Sequence, residues 1–249
     1  MVVDADMERE MESTKVKKVA VVIPTYNEAE NIVSLITALL KIGDFIDVVV
    51  VDDNSLDQTA ECVLKNFNNN KQVSLLKRQR KSGRGSAIIE GMRFITQKGR
   101  YDTIVEMDGD LSHDPSALPA LLENTEHYDV VIGSRYIKNS EIINWPIRRK
   151  IVSKMANYYA RSVFKVPIND YSGGFRCYSR NAAHYLINNK FITKGHASLL
   201  EIVYMLYKKG FTFCEVPIVF INRQKGYSKL SSGDFLEAIK NIFKIRASY

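Results

Sequence analysis

The chain is poor in the residues that most often announce a reaction. In 249 residues it has three cysteines, four histidines and one tryptophan. Cys62, Cys177 and Cys214 are odd in number and widely scattered. They offer neither a zinc spacing nor a disulfide framework, and they fit buried, inert thiols in a reducing compartment. His113, His127, His184 and His196 share no spacing, and no Ser/His/Asp or Cys/His set can be assembled, so covalent hydrolase chemistry has no support. His113 closely follows the Asp108–Asp110 pair; the other three read as surface or packing residues. No apolar run approaches the roughly 18–20 residues needed to span a bilayer. The first 18 residues are charged and lack the apolar core of a secretion signal. The Gly-Lys-Ser/Thr order of a phosphate-binding P-loop is missing, and there is no internal repeat, low-complexity tract or clear linker.

What is present is an ordinary globular composition, 45% hydrophobic and 25% charged, with an excess of base that gives a net charge of +7. An anionic partner follows: nucleic acid, nucleotide phosphates or an acidic membrane surface. Residues 1–15 read as a disordered leader. Val19 to Ile23 reads as a buried strand stopping at Pro24, and Asn27 with the acids after it opens a helix through Ile32, Leu35, Ile36, Leu39 and Leu40. Ile46 to Val51 is a second strand, followed by a helix capped by Asp57 or Thr59. Val73 to Leu76, a helix over 86–96 and Thr103 to Met107 continue the alternation. It predicts an α/β fold with a mostly parallel sheet covered by helices on both faces. Asp129 to Gly133 and Cys214 to Ile221 are further strands. A helix over 146–165 starts with Arg148, Arg149 and Lys150, and carries Ile151, Met155, Tyr158, Tyr159 and Val163 on its other face. A last amphipathic helix over 234–246 sets Phe235, Ile239, Ile242 and Phe243 against Lys240, Lys244 and Arg246. Both basic helices suit a membrane interface; packing of their apolar faces on the sheet is the alternative.

In such sheets ligands bind beyond the carboxyl ends of the strands. Three polar clusters fall there: Pro24 to Glu28, Asp52-Asp53 and Asp108-Gly109-Asp110. Asp108 and Asp110 lie two apart, so on an extended segment both point the same way. Gly109 between them lets a ligand approach the backbone. Mg²⁺ or Mn²⁺ held by one or two carboxylates takes its other ligands from water and phosphates; a plain Asp-Gly-Asp turn is the alternative. Asp53 suits accepting from a base N–H, and Tyr26 and Glu28 contacting a nucleoside; helix capping by Asn27 and a turn at Asp53-Asn54-Ser55 are the alternative. Lys77 to Gly85 is a dense cationic tract, suited to phosphate or, as a second function class, to nucleic acid. It has no interleaved aromatics for base stacking. Arg223, Lys225 and Lys229 form a cationic loop of the kind that closes over anionic substrates; a plain basic surface loop is the alternative.

These pieces, taken in order, resemble the dolichol-phosphate (polyprenyl-phosphate) mannosyltransferase family, inverting glycosyltransferases of the GT-A fold. The resemblance rests on Ile23-Pro24-Thr25-Tyr26-Asn27-Glu28, Val51 to Ser55, Met107 to His113, Gly133-Ser134-Arg135-Tyr136, and Asn144-Trp145-Pro146 with Arg148 and Arg149. It continues with Ser153 to Asn157, Gly173-Gly174-Phe175-Arg176, Glu215 to Ile218, and Arg223 with Gly226 and Ser228-Lys229. It implies a single GT-A (Rossmann-like) domain over 16–249. Pro24, Tyr26, Glu28, Val51 and Asp53 would bind the nucleoside. Asp108, Gly109 and Asp110 would hold diphosphate and metal, with Asp108 and Asp110 ligating Mg²⁺ or Mn²⁺. Arg135, Arg223 and Lys229 would handle phosphates. Asp110, Arg223 and Lys229 would carry catalysis.

The donor implied is GDP-mannose, with UDP-glucose or another nucleotide sugar as the alternative. The acceptor implied is a dolichyl or polyprenyl phosphate, met on the cytosolic face of a membrane by a cytoplasmic, peripheral enzyme, with or without an anchoring partner subunit. The chain departs from the family where Gly109 replaces a common Ala and Ser112 stands where some members place a metal-bound Gln. Its 195–201 segment also lacks the usual aromatic and Gln before Glu201. A phosphate monoester is already anionic near neutral pH, with a second pKa of about 6, so it attacks an anomeric carbon without a side-chain base. Attack opposite the leaving group inverts the anomeric centre.

Overall fold

The structure, a computed structural model, describes residues 17–193, 195–222 and 234–249. The expected leader over 1–15 lies outside the described residues. The alternation read from the sequence is there: β1 (Val19–Thr25), α1 (Ile32–Leu40), β2 (Ile46–Asp52), α2 (Thr59–Phe67), β3 (Val73–Lys77), α3 (Arg84–Lys98) and β4 (Thr103–Glu106). The short helix α4 (Leu118–Glu123) leads to β5 (Val130–Ser134), β6 (Glu141–Ile143) and the long α5 (Ile147–Phe164). Then come β7 (Arg176–Ser179), α6 (Arg180–Asn188), α7 (Ala197–Lys208), β8 (Phe213–Pro217), β9 (Val219–Ile221) and α8 (Asp234–Ser248).

Seven strands form one sheet in the order β3-β2-β1-β4-β7-β5-β8, and β6 pairs with β9 in a small second sheet. β1, β2, β3 and β4 are parallel, β7 runs antiparallel to both β4 and β5, and β5 and β8 are parallel. The uninterrupted apolar strands are explained by burial on two faces. Ala20 and Val22 of β1, with Val49 and Val51 of β2, join a core under α3, α5, α6, α7 and α8. Val21, Ile23, Val48 and Val50 join a second core under α1, α2 and α4. Strand order reverses at β1, which has β2 on one side and β4 on the other. The crevice at that reversal is where a doubly wound sheet binds ligands.

Several expectations need correction. The first helix begins at Ile32 rather than near Asn27, whose φ of 59° is left-handed and non-helical. Asn27 Oδ1 instead accepts from the Leu56 amide at 2.9 Å, so it ties two loops together and caps nothing. The single strand expected over Cys214–Ile221 is two strands in different sheets, because the chain leaves the main sheet at Pro217–Ile218. β7 was missed. It is a central strand that begins with Arg176, a residue that reads as loop. Its guanidinium is fully buried and donates to the carbonyls of Gly173 (2.8 Å), Leu199 (2.9 Å) and Tyr171 (2.7 Å). Among the described residues no helix is long and apolar enough to cross a membrane.

The apolar face of α5 is split. Tyr159 and Val163 pack on the core. Ile147, Ile151, Val152, Met155 and Tyr158 face outward, with Ile147 and Tyr158 76% exposed and Met155 58%. On α8, Ile242 and Ile245 are buried in the core and Phe243 is 56% exposed. Phe235 and Ile239 have no described side chains.

Candidate active site

The loops after β1 and β2 are laced together by short polar side chains. Thr25 Oγ1 donates to Asp52 Oδ1 at 3.3 Å, and the Ser55 amide donates to Asp52 Oδ2 at 3.1 Å. The Asn27 amide donates to Ser55 Oγ at 2.9 Å, and the Asp53 amide to the Thr25 carbonyl at 2.9 Å. Asp52 is fully buried and spent on this lacing. Asp53, also buried, accepts from Arg78 Nη1 (2.8 Å) and from the amides of Ser82 (2.8 Å) and Gly83 (2.7 Å). A carboxylate has about four acceptor positions, so room for roughly one further donor is left.

Pro24, Tyr26 and Glu28 are half-buried at the crevice. The Tyr26 ring lies 3.6 Å from Lys81 Nζ, and Glu28 Oε2 accepts from Asn31 Nδ2 at 3.0 Å. The Val51 side chain is buried in the core, packed toward Gly91 of α3. Only its main chain looks toward the strand end, and Thr25 Oγ1 sits 3.5 Å from its carbonyl.

β4 ends at Glu106, and Gly109-Asp110 form a turn, so Asp108 and Asp110 are not brought together by strand alternation as expected. Leu111 follows with φ of 60°, an uncommon conformation for a residue other than glycine. This fold-back returns the chain so that His113 faces both carboxylates. Asp108 N donates to His113 Nδ1 at 3.4 Å, and Asp108 Oδ2 is 4.0 Å from the same nitrogen. His113 is buried between Phe175 and Phe220, each ring centroid 5.4 Å away. Burial pushes its pKa down, against the pull of Asp108 and Asp110. Asp110 is buried and its Oδ1 accepts from both the amide (3.1 Å) and the hydroxyl of Ser112.

Gly109 lies against β1 and the crevice residue Glu28, whose Cγ would be 3.6 Å from a Cβ at this position. A Cβ there would lie 3.1 Å from Thr25 Cγ2 and 3.4 Å from Ile23 Cγ2, so its missing side chain makes room for β1.

Asp108 is gripped by Arg84, which in the sequence is one charge of the cationic tract. Arg84 Nε and Nη2 donate to Asp108 Oδ1 at 2.9 and 2.7 Å, Nη1 to Glu106 Oε1, and Nη2 to the Gly174 carbonyl at 3.4 Å. Burial alone would raise the Asp108 pKa. The Arg84 charge overrides it and holds the carboxyl well below the usual carboxylate range, helped by His113 and by His196. His196, read as surface or packing, therefore stands within electrostatic reach of Asp108. Of the rest of the tract, Arg78 is also turned inward, onto Asp53 and Glu90, whereas Lys77 pairs with Glu61 at the surface and Arg80 and Lys81 are exposed.

Arg135 donates through Nε to Asp170 Oδ2 (2.7 Å), through Nη2 to Asp170 Oδ1 (2.8 Å) and to Ser172 Oγ (2.8 Å). Asp170 is fully buried. Burial would raise its pKa, and Arg135 brings it below the ordinary value. Arg135 thus sits at the crevice, close enough to Asp108 to feel its charge, with its fork on Asp170. Arg149 lies 4.0 Å from the Trp145 ring and donates to Asn222 Oδ1 at 3.1 Å. Arg223 and Lys229 lie outside the described residues.

Among the described residues no three His, Cys, Asp or Glu side chains are grouped to hold a metal ion. Two carboxylates is nonetheless the number that Mg²⁺ takes when substrate phosphates complete its shell. The all-oxygen pair Asp108 and Asp110 is hard in the required sense. The missing side chain of Gly174 is what lets Arg84 Nη2 in beside the pair: a Cβ there would stand 2.4 Å from Nη2 and 2.9 and 3.0 Å from the two Asp108 oxygens. The residues fit a divalent cation shared with a diphosphate.

The profile of glycosyl transferase family 2 matches residues 20–186, from the first strand through the crevice to α6. The chain belongs to glycosyl transferase family 2. Within the family it is 35% identical over 225 residues to the undecaprenyl-phosphate mannosyltransferase of Micrococcus luteus, covering 90% of this chain and 92% of the relative. It is 34% identical over 234 residues to the polyprenol monophosphomannose synthase of Mycolicibacterium smegmatis, covering 92% and 86%. Its fold also matches glucosyl-3-phosphoglycerate synthase of Mycobacterium tuberculosis, solved with Mn²⁺, UDP and product. The TM-score is 0.69 at 15% identity, over 93% of this chain and 80% of that one. That likeness shows the fold, the GT-A arrangement.

Proposed function

We propose that this glycosyltransferase moves a mannosyl group from GDP-mannose to a polyprenyl or dolichyl phosphate with inversion, giving a lipid-linked β-mannosyl phosphate. The observation that carries the reading is the likeness, over nine-tenths of the chain, to two enzymes whose names join mannose to a polyprenyl carrier. The site is consistent with it. Two carboxylates lie beside buried arginines at the switch point, and no free general base is required, because the nucleophile is an anionic phosphate.

Asp108 and Asp110 would hold Mg²⁺ or Mn²⁺ together with the diphosphate. Such an ion supplies charge stabilisation as the diphosphate departs. Pro24, Tyr26, Glu28, the Val51 main chain and Asp53 are assigned to the nucleoside. Asp53 contributes its remaining acceptor position and pins the 78–83 loop as one wall. Arg135 adds positive potential at the phosphates while its fork stays on Asp170. Arg223 and Lys229 are assigned to the phosphates on sequence alone. The protein's own contribution to rate is alignment of acceptor phosphate, anomeric carbon and leaving group.

A lipid acceptor calls for contact with a membrane surface, which we place on the cytosolic side. The support is α5, whose exposed Ile147, Ile151, Val152, Met155 and Tyr158 are interleaved with Arg148, Lys150 and Lys154. Apolar side chains among cations suit an anionic interface. The test is a panel of GDP-mannose, UDP-glucose and other nucleotide sugars offered with a short polyprenyl phosphate and Mn²⁺ or Mg²⁺. Lipid-linked mannose formed preferentially from GDP-mannose is the expected result. Equal or better transfer from UDP-glucose would refute the donor, and label appearing only in water-soluble product would refute the acceptor.

A further inference from the structure

Arg84 sits between two carboxylates and a glycine, and each of the three explains part of its role. Below it, Glu106 is fully buried and accepts from the hydroxyl of Tyr178 at 2.7 Å. Tyr178 is itself fully buried in the core under α3 and α6. Glu106 is thus anchored in the protein interior, and through Nη1 it anchors Arg84. Above it, Arg84 places Nε and Nη2 on the same oxygen of Asp108, Oδ1. The other oxygen, Oδ2, is on the His113 side. Beside it, Gly174 has no side chain; a Cβ there would lie 2.4 Å from Arg84 Nη2. Tyr178, Glu106, Arg84 and Asp108 form one connected line from the core to the crevice.

We propose that Arg84 is a positioning residue: it fixes Oδ1 of Asp108 so that Oδ2 is presented to the divalent cation, while Glu106 shares its charge so that Asp108 is not cancelled. This deepens the function proposed above and rests on it. The charge count supports it. One guanidinium between one carboxylate and the crevice would neutralise that carboxylate. Between two it leaves one negative charge, and the buried partner is Glu106 while the crevice partner is Asp108. The geometry explains the residue type. A planar fork reaches two carboxylates and a carbonyl at once, which a lysine ammonium at the end of a flexible stem does not. Loss of an outer-shell partner of a metal ligand typically costs about 10–100-fold in metal affinity.

The test is Mn²⁺ uptake in the presence of GDP, followed by the electron paramagnetic resonance of free Mn²⁺, together with thermal unfolding. Arg84→Lys keeps the charge and loses the fork; Arg84→Met with Glu106→Gln removes both charges together. Roughly 10–100-fold weaker Mn²⁺ binding is expected for each, and weaker binding in the double variant alone suffices if Arg84→Lys does not fold. Affinity within about twofold of wild type overturns the proposal, even if the unfolding temperature falls, because the role is then structural only. Tighter binding also overturns it, since Arg84 would then merely repel the cation. A wild type that takes up no Mn²⁺ with GDP refutes the metal-dependent reading itself, which separates that failure from this one.

Discussion

Replacing Gly174 with alanine probes the crevice without replacing a charged group. The new Cβ would start 2.4 Å from Arg84 Nη2 and 2.9 Å from Asp108 Oδ2. Ordinary contact begins near 3.4 Å, so Nη2 must retreat by the difference, 3.4 − 2.4, or about 1 Å. Arg84 Nη2 is 2.7 Å from Asp108 Oδ1; a move of that size takes at least one of its bonds beyond hydrogen-bond range. A hydrogen bond to a charged group contributes about 1.5–3 kcal/mol. In this chain length each kcal/mol lowers the unfolding temperature by roughly 2–4 °C, which gives a fall of about 3–12 °C. A misplacement near 1 Å at a reacting centre costs on the order of 100-fold in rate. The assay is kcat/KM for mannosyl transfer from GDP-mannose, run beside thermal unfolding. Gly99→Ala serves as control, because a Cβ there meets only Tyr101 at 3.7 Å. Wild-type activity and unfolding temperature in Gly174→Ala would refute the packing argument and the Arg84–Asp108 geometry with it.

Three further outcomes follow. Asp170→Asn leaves the buried Arg135 without its ion-pair partner and should cost about 3–5 kcal/mol, read by denaturant unfolding; a loss under about 1 kcal/mol would contradict it. Because the folded Asp170 pKa lies below its ordinary value, its stabilisation is full above about pH 4. It is lost as pH falls through the folded value, so as pH falls below about 4 wild type should lose more stability than Asp170→Asn. Parallel pH curves would count against this. Ile151→Asp with Met155→Asp on α5 should weaken binding to anionic vesicles at least about tenfold, given about 1.5–3 kcal/mol for each fully buried apolar side chain. Both residues are exposed, so the unfolding temperature should hardly move; unchanged vesicle binding would remove α5 from the membrane.

The sheet was largely legible because its strands are buried on both faces and read as continuous apolar runs. Val19–Thr25 and Ile46–Asp52 show this most clearly, and three strand ends announced the crevice. β7 escaped because an arginine in a central strand contradicts that pattern; only its three carbonyl partners make Arg176 tolerable there. The carboxylates Asp108 and Asp110 were visible as residues. Their arrangement was not, since it depends on the turn at Leu111 and on Arg84, which comes from 24 residues earlier in the chain. A dense run such as Lys77 to Arg84 looks like a solvated patch until the structure shows Arg78 and Arg84 turned onto Asp53, Glu106 and Asp108. His196 was unreadable for the same reason: its nearness to Asp108 is purely tertiary. The exposed side of α5 could not be told from a core-packed one, because periodicity gives a face but not what covers it.

The most direct test of the account is the anomeric configuration of the lipid product. Wild-type protein, GDP-mannose labelled at C1, a short polyprenyl phosphate and Mn²⁺ should yield a β-linked mannosyl phosphate, seen in the one-bond C1–H1 coupling, and Asp110→Ala should yield none. An α-linked product, or full product from Asp110→Ala, would contradict it.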